Sequence, residues 1–304
     1  MSTVTSSIVN QSTGPLESGD HQVTLNGVVI HYRILGSGPT LFLVPPGWGI
    51  GSTYLQLAFS FLQDRFRLVF IDPRGSGQSS FPADSAAMSS HHMADDLDAL
   101  RAHLGLDTIH LLGHSNSGAI ALSYAERYQH RVSKLIVIGS QVLGLSAAQD
   151  TQAFLQARAE DPRYKSAVQR ALELFTGKID PGVNDNALEI FIAQILPLYL
   201  HSPEKNLELA QQQLSGPINS HAFRAQNAAD RKATIDQTTL LHQILARALI
   251  VCGRYDWICP LALSERLQAG IPDSRLVVFE ESGHFPWLEE PEKFTTELNK
   301  FLED

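Results

Sequence analysis

The stretch IHLLGHSNSG, from Ile109 to Gly118, decides how this chain is read. An apolar, β-rich run, Ile109 to Leu112, passes into G-x-S-x-G, and the small and apolar residues Ala119, Ile120 and Ala121 then open a helix. A serine on a very tight strand-to-helix turn needs glycine on both sides so that neighbouring backbone can approach closely. Such a turn sets the Ser115 hydroxyl at the positive end of the helix, beside the N–H of Asn116. The same letters occur in ordinary Gly/Ser loops. A legible strand before the motif and a helix after it supply the context that makes Ser115 a candidate nucleophile.

Outward from this motif the chain alternates strand and helix. His21 to Leu25, Asn26-Gly27 and Val28 to Leu35 read as a hairpin, since Asn-Gly supplies the two positive-φ residues of a type I′ turn. Short apolar runs follow at Leu41 to Val44, Leu68 to Ile71, Leu135 to Ile138, Leu249 to Val251 and Leu276 to Phe279. They lack polar alternation, which predicts strands buried on both faces of a parallel sheet. Helical patterns such as Met93 to Leu104, Gly118 to Tyr128 and Pro260 to Ala269 lie between them, so the fold class is α/β. From about Gly144 to Asp230 only helical patterns appear, among them Thr151 to Ala159, Ser166 to Phe175 and Ala187 to Leu200. The expected organisation is an N-terminal arm (1–20), a core (21–140), an inserted all-helical cap (141–235) and a second core segment (236–304).

Two further strand ends carry the chemistry a serine nucleophile needs. The Leu249 strand ends in GRYDWICP, which holds Asp256, and the Leu276 strand ends in ESGHFPWLEEP, which holds His284. His284 is the candidate base that takes the Ser115 proton and returns it to the leaving group. Asp256 is the candidate acid that fixes the imidazole tautomer. Acyl transfer also needs donors aimed at the developing oxyanion. The loop after Val44 reads Pro45-Pro46-Gly47-Trp48-Gly49, and proline has no N–H. Gly47 and Asn116 are therefore the expected oxyanion donors, with Trp48 a third candidate. Trp48, Phe285 and Trp287, with Phe191 and Tyr199 from the cap, are candidate walls of an apolar pocket, although ordinary core packing also accounts for the cap pair. His114 cannot be the base, because a residue adjacent to the nucleophile on the tight turn points elsewhere; it lines the pocket or makes a structural bond.

GHSNSG, the IDPRGSGQS stretch from Ile71 to Ser79, GRYDWICP and ESGHFPWLEEP together resemble the α/β-hydrolase superfamily, from about His21 to the end. The chain order Ser, Asp, His is that of the superfamily. The resemblance implies an eight-stranded, mostly parallel sheet and no cofactor. GRYDWICP is similar to the acid loop of prolyl aminopeptidases, which also carry a helical cap. Those enzymes have HGGPG where this chain has PPGWG, and Trp-Gly-Gly after the nucleophile where this chain has Asn116-Ser117-Gly118. Their caps hold the substrate's amino group with carboxylates. Glu173 and Glu189 are the candidates here, though both also read as solvated helix faces.

Composition limits the partners. The 304-residue chain is 43% hydrophobic and has a formal net charge of -9, with no basic stripe, which argues against nucleic acid and anionic membrane. No apolar stretch reaches the roughly 18 residues a membrane span needs. Two cysteines, Cys252 and Cys259, suggest no disulfide framework. With no basic and apolar leader in the first 20 residues, a cytoplasmic address is expected. The pair His91-His92 with Asp95-Asp96 reads as a helix start whose acidic residues complement the dipole, not as a metal site. Asp72 and Arg74 look structural, although Arg74 could reach the site mouth. The expected partner is a small-molecule acyl substrate, an ester or lactone cleaved through an acyl-enzyme, and the oligomeric state stays open. A prolyl aminopeptidase-like exopeptidase and a ligand sensor with little turnover are the alternatives.

Overall fold

The computed structural model describes residues 16–304. Most of the expected arm lies outside them, and its last two residues, Gly19 and Asp20, already belong to the first strand. The strands are β1 (Gly19–Leu25), β2 (Val28–Leu35), β3 (Thr40–Val44), β4 (Arg67–Ile71), β5 (Ile109–His114), β6 (Val132–Ile138), β7 (Arg247–Gly253) and β8 (Ser274–Phe279). They form one eight-stranded sheet in the order β1-β2-β4-β3-β5-β6-β7-β8. β1 and β2 pair antiparallel, as do β2 and β4, and the remaining pairs are parallel. The hairpin turn is as expected, with Asn26 at φ 48° and Gly27 at φ 77°.

Period-two alternation explains why the central strands read as unbroken apolar runs. Leu41 and Leu43 of β3 enter the core on one face of the sheet, while Phe42 and Val44 enter the core on the other. Covering both faces removes the polar alternation of a one-sided sheet. Each such side chain contributes roughly 1.5–3 kcal/mol relative to exposure. β8 departs from the expectation: Ser274 to Val278 are only half-buried and Phe279 alone is buried. It is an edge strand, so helices cover it less completely.

Eleven α-helices are described. α1 (Thr53–Phe59), α2 (Ser90–His103) and α3 (Asn116–Arg127) precede β6; α4 (Ala148–Arg158), α5 (Lys165–Phe175), α6 (Asp185–Ile195), α7 (Pro203–Gln213) and α8 (Ser220–Lys232) run between β6 and β7. α9 (Leu261–Gly270), α10 (Pro286–Glu289) and α11 (Pro291–Glu303) complete the chain. α6 stops short of the expected Leu200, and a 3-10 turn over Leu196–Tyr199, which contains Pro197, replaces its end. Among the described residues, no helix is long and apolar enough to cross a membrane.

α2 starts after Ser89, whose side chain caps the helix, but its first turn holds no acidic residue. Asp95 and Asp96 therefore serve a purpose other than dipole complementation. Asp95 accepts from the Tyr128 hydroxyl at 2.7 Å, and Asp96 pairs with Arg74 through two 2.6 Å bonds. That pairing keeps Arg74 buried and away from the site mouth. Among the described residues the His91 to Asp96 group does not converge: His92 Nδ1 meets the Ser89 hydroxyl while Asp96 meets Arg74. Asp72 is structural, since its carboxylate accepts from the backbone N–H groups of Ser52 and Gln78 and pairs with His31.

Candidate active site

β5 delivers Ser115 to the carboxyl edge of the sheet, and α3 begins at the next residue. Ser115 has φ 64° and ψ -127°, a left-handed conformation that costs a non-glycine residue on the order of 1–3 kcal/mol. Flanking glycines make the turn feasible. A Cβ on Gly113 would stand 2.4 Å from the Ser117 carbonyl oxygen, and one on Gly118 would stand 1.9 Å from Ser140 Oγ. The Ser115 N–H donates to Ile138 O at 2.9 Å, and its carbonyl accepts from Gln141 N–H at 3.1 Å, which ties the turn to the end of β6.

The two residues after the serine brace the turn, a role the motif did not reveal. Asn116 Nδ2 donates to Pro46 O at 2.7 Å and so joins the turn to the loop after β3. The buried Ser117 hydroxyl donates to Val44 O and accepts from His114 N–H at 2.8 Å. His114 itself is a packing residue. Its Nε2–H donates to His284 O at 3.2 Å, and Nδ1 accepts from the Tyr54 hydroxyl at 2.8 Å. Burial, with His284 adding to it, holds its pKa well below the ordinary imidazole range, so His114 is neutral.

The loops after β7 and β8 bring Asp256 and His284 together. Asp256 Oδ2 accepts from His284 Nδ1 at 2.7 Å, and both side chains are almost wholly buried. The other oxygen, Oδ1, accepts from the N–H groups of Ile258 and Cys259 at 3.1 and 2.9 Å, so the carboxylate cannot rotate freely. Nδ1 is thereby engaged, and Nε2 of His284 has no hydrogen-bond partner among the described residues. Gly139, at φ 49°, makes room for the pair: a Cβ there would stand 2.8 Å from Asp256 Oδ2 and 2.9 Å from His284 Nδ1. The Ser115 hydroxyl makes no hydrogen bond among the described residues. The ring of His114, the residue before Ser115, lies 4.6 Å from the His284 ring, so the base stands beside the turn.

The candidate oxyanion donors differ in availability. Trp48 N–H donates to the side-chain oxygen of Gln226 on α8 at 2.7 Å, and is therefore occupied. Gly47 forms an isolated antiparallel bridge with Ile50, whose N–H donates to the Gly47 carbonyl at 2.8 Å, and Asn116 N–H belongs to the first turn of α3, where no carbonyl of the preceding helical turn exists. Gln226 is a residue that sequence reasoning passed over, since nothing in a helix of the insertion marks one glutamine from another.

Two of the candidate pocket aromatics, Tyr199 and Phe285, pack on the candidate base His284. Tyr199 lies edge-on to His284 at 5.3 Å and stacks on Phe285, and its carbonyl accepts from His284 N–H at 2.7 Å. Trp287 packs on His114 and Phe59, and Trp48 meets Phe223 edge-on at 5.5 Å. Phe191 sits in the small core of the helical insertion. None of these aromatics, nor Ser115 or His114, lines the cavity of about 560 Å³ found between the insertion and the sheet edge. That cavity is bounded by Ile50, Tyr54, Ile192, Leu196, Leu214 and Ile218, with Asp72, Gln78, Glu189 and Gln213 as polar groups. It lies one layer from the base, since Tyr54 bonds His114 and Gln213 accepts from Trp287 Nε1. Of the two cap carboxylates, Glu189 faces this cavity, whereas Glu173 is held by Arg170 at 2.7 Å.

Asp256, Cys259 and His284 offer ligand atoms within 4.8 Å of one another. The Asp256–His284 bond already uses two of them, and burial raises the Cys259 thiol well above its ordinary range, against the thiolate a metal would need. Cys252 is also buried and unpaired in a disulfide.

Comparison with known proteins gives a consistent picture. The family model described as alpha/beta hydrolase fold matches residues 40–291. Proline iminopeptidase PfmaB of Pestalotiopsis fici is 28% identical, over 92% of this chain and 98% of its own length. A proline iminopeptidase of Saccharolobus solfataricus is 29% identical, over 90% of this chain and 87% of its own. Among solved structures, a thermophilic esterase from Thermogutta terrifontis aligns with a TM-score of 0.70 and 25% identity, covering 94% of this chain and 98% of that one. With the matched model spanning most of its length, the chain belongs to the α/β hydrolase fold family.

Proposed function

We propose that this chain is a serine hydrolase that cleaves a small or medium acyl substrate, an ester or a lactone, through an acyl-enzyme. The observation that carries the reading is the buried Asp256–His284 bond of 2.7 Å set beside the strained turn of Ser115. His284 Nε2 takes the Ser115 proton as Oγ attacks the carbonyl carbon, and the oxyanion is met by Gly47 and Asn116 N–H. The imidazolium, stabilised by Asp256, returns the proton to the leaving alcohol. Water then repeats the sequence and releases the acid. Neither step calls for a metal or cofactor.

A second reading is supported by Glu189 on the cavity and by the proline iminopeptidases among the relatives. In it, Glu189 holds the free amine of an N-terminal proline. Assays of p-nitrophenyl butyrate and proline p-nitroanilide, with Ser115→Ala as the blank, separate the two. Ester turnover alone is the expected result. Turnover of the proline amide that is lost when the amine is acetylated would replace the esterase reading with the peptidase one.

A further inference from the structure

α8 brings one polar group to the loop after β3. Gln226 is wholly buried, its Oε1 accepts the Trp48 N–H at 2.7 Å, and its Nε2 has no hydrogen-bond partner. The carboxamide packs closely against Gly47: a Cβ there would stand 2.5 Å from Oε1 and 3.1 Å from Nε2. Gly47 follows Pro46, whose carbonyl is bonded by the side chain of Asn116, the residue after the nucleophile. Two hydrogen bonds, joined through the Pro46–Trp48 backbone, thus connect the amide to the turn that carries Ser115.

The tie to Trp48 needs only the oxygen end of the amide. Leaving the two Nε2 protons buried and unpartnered costs about 1–3 kcal/mol. A ligand acceptor would recover that cost, and the Trp48 bond already fixes which way the amide faces. α8 is itself held firmly. Asp230 accepts from Ser90 N–H and hydroxyl at 2.7 and 2.9 Å, Ser220 N–H donates to Asp185 at 2.7 Å, and Phe223 packs edge-on to Trp48. The group is therefore preorganised, as a selective donor must be.

We infer that Gln226 is a substrate-positioning residue whose Nε2 donates a hydrogen bond to an oxygen acceptor carried by the acyl group. The preferred substrates are then oxo-, hydroxy- or alkoxy-acyl esters or lactones, and plain alkyl esters are poorer ones. This rests on the serine hydrolase reading above. A site built to bond a polar group discriminates against the analogue lacking it, because its own donor is left unpaired.

The test compares kcat/KM for two near-isosteric pairs, p-nitrophenyl methoxyacetate against butyrate and p-nitrophenyl levulinate against isocaproate, in the wild-type chain and in Gln226→Met. Referring each ratio to the wild-type ratio cancels the intrinsic reactivity of the esters. The expected result is a loss of about tenfold or more in the oxygenated-to-alkyl ratio for at least one pair. Gln226→Glu, which keeps the side-chain length and an oxygen for Trp48 N–H, carries the same readout if the Met variant unfolds early. Ratios within about twofold of wild type in both pairs, with all rates falling together, would reduce Gln226 to a loop tie and overturn the inference. Ser115→Ala is run alongside: turnover surviving there would overturn the serine reading, an outcome distinct from an unchanged ratio.

Discussion

The sheet and the helical insertion between β6 and β7 treat their side chains differently. In the sheet, all five residues of β3 are buried, and the polar groups at the strand ends are bonded into place. In the insertion, Leu172, Phe175, Val183 and Ile190 are 44–60% exposed. Its own core is small and is built around Leu155, Tyr164, Val168, Phe191 and Leu198. That core meets the sheet's loops at Trp257 and Ile258, directly after Asp256. The contrast separates two tasks. The sheet frame holds the candidate reacting groups Ser115, Asp256 and His284, and the helical layer packs on the loop after Asp256 and meets the candidate site through the Gln226 side chain and the backbone of Tyr199.

The largest expected effect lies in the frame. Asp256→Asn should lower kcat for a p-nitrophenyl ester by about 10⁴ with the fold retained, because the wrong imidazole tautomer is then held. A loss below about tenfold would mean that the acid sits elsewhere than on the β7 loop of the frame. An intermediate effect is expected in the insertion. Phe191→Ala, at a nearly buried site, should cost about 3–5 kcal/mol, felt locally. Hydrogen exchange should then show α4 to α6 losing protection while β3 and β5 keep theirs, and KM should rise more than kcat falls. Equal loss of protection in the sheet would erase the distinction between the two regions.

A third effect, read in stability against pH, concerns the point where the insertion rejoins the frame. Glu126, near the end of α3, is buried with neither carboxylate oxygen bonded, and burial, with Asp236 adding to it, pushes its pKa up to about 8. The folded chain therefore keeps a proton that the unfolded chain releases near the ordinary 4.5. Stability attributable to this group is highest below that ordinary value, falls as pH rises through the window up to about 8, and is flat beyond. Glu126→Gln should flatten that part of the stability profile in urea melts. An unchanged slope would place a partner on the carboxylate.

The strand ends are legible in the sequence because their chemistry is local: G-x-S-x-G fixes a turn, and Asp256 and His284 each follow an apolar run. The type I′ turn at Asn26-Gly27 was legible for the same reason. β8 departs from the expectation because four apolar residues look alike in the centre and at the edge of a sheet. Asp95 and Asp96 were read as dipole partners, whereas their partners, Tyr128 and Arg74, are distant in sequence and have no local signature. Gln226 lies 178 residues from the Trp48 N–H it accepts, so only the folded chain brings the two together.

The central claim, that Ser115 is the nucleophile, is tested most directly by intact-protein mass spectrometry after treatment with a fluorophosphonate. The account predicts a single adduct on the wild-type chain, mapped by peptide digestion to Ser115 and absent from Ser115→Ala. An adduct on another residue, or equal labelling of Ser115→Ala, would contradict it.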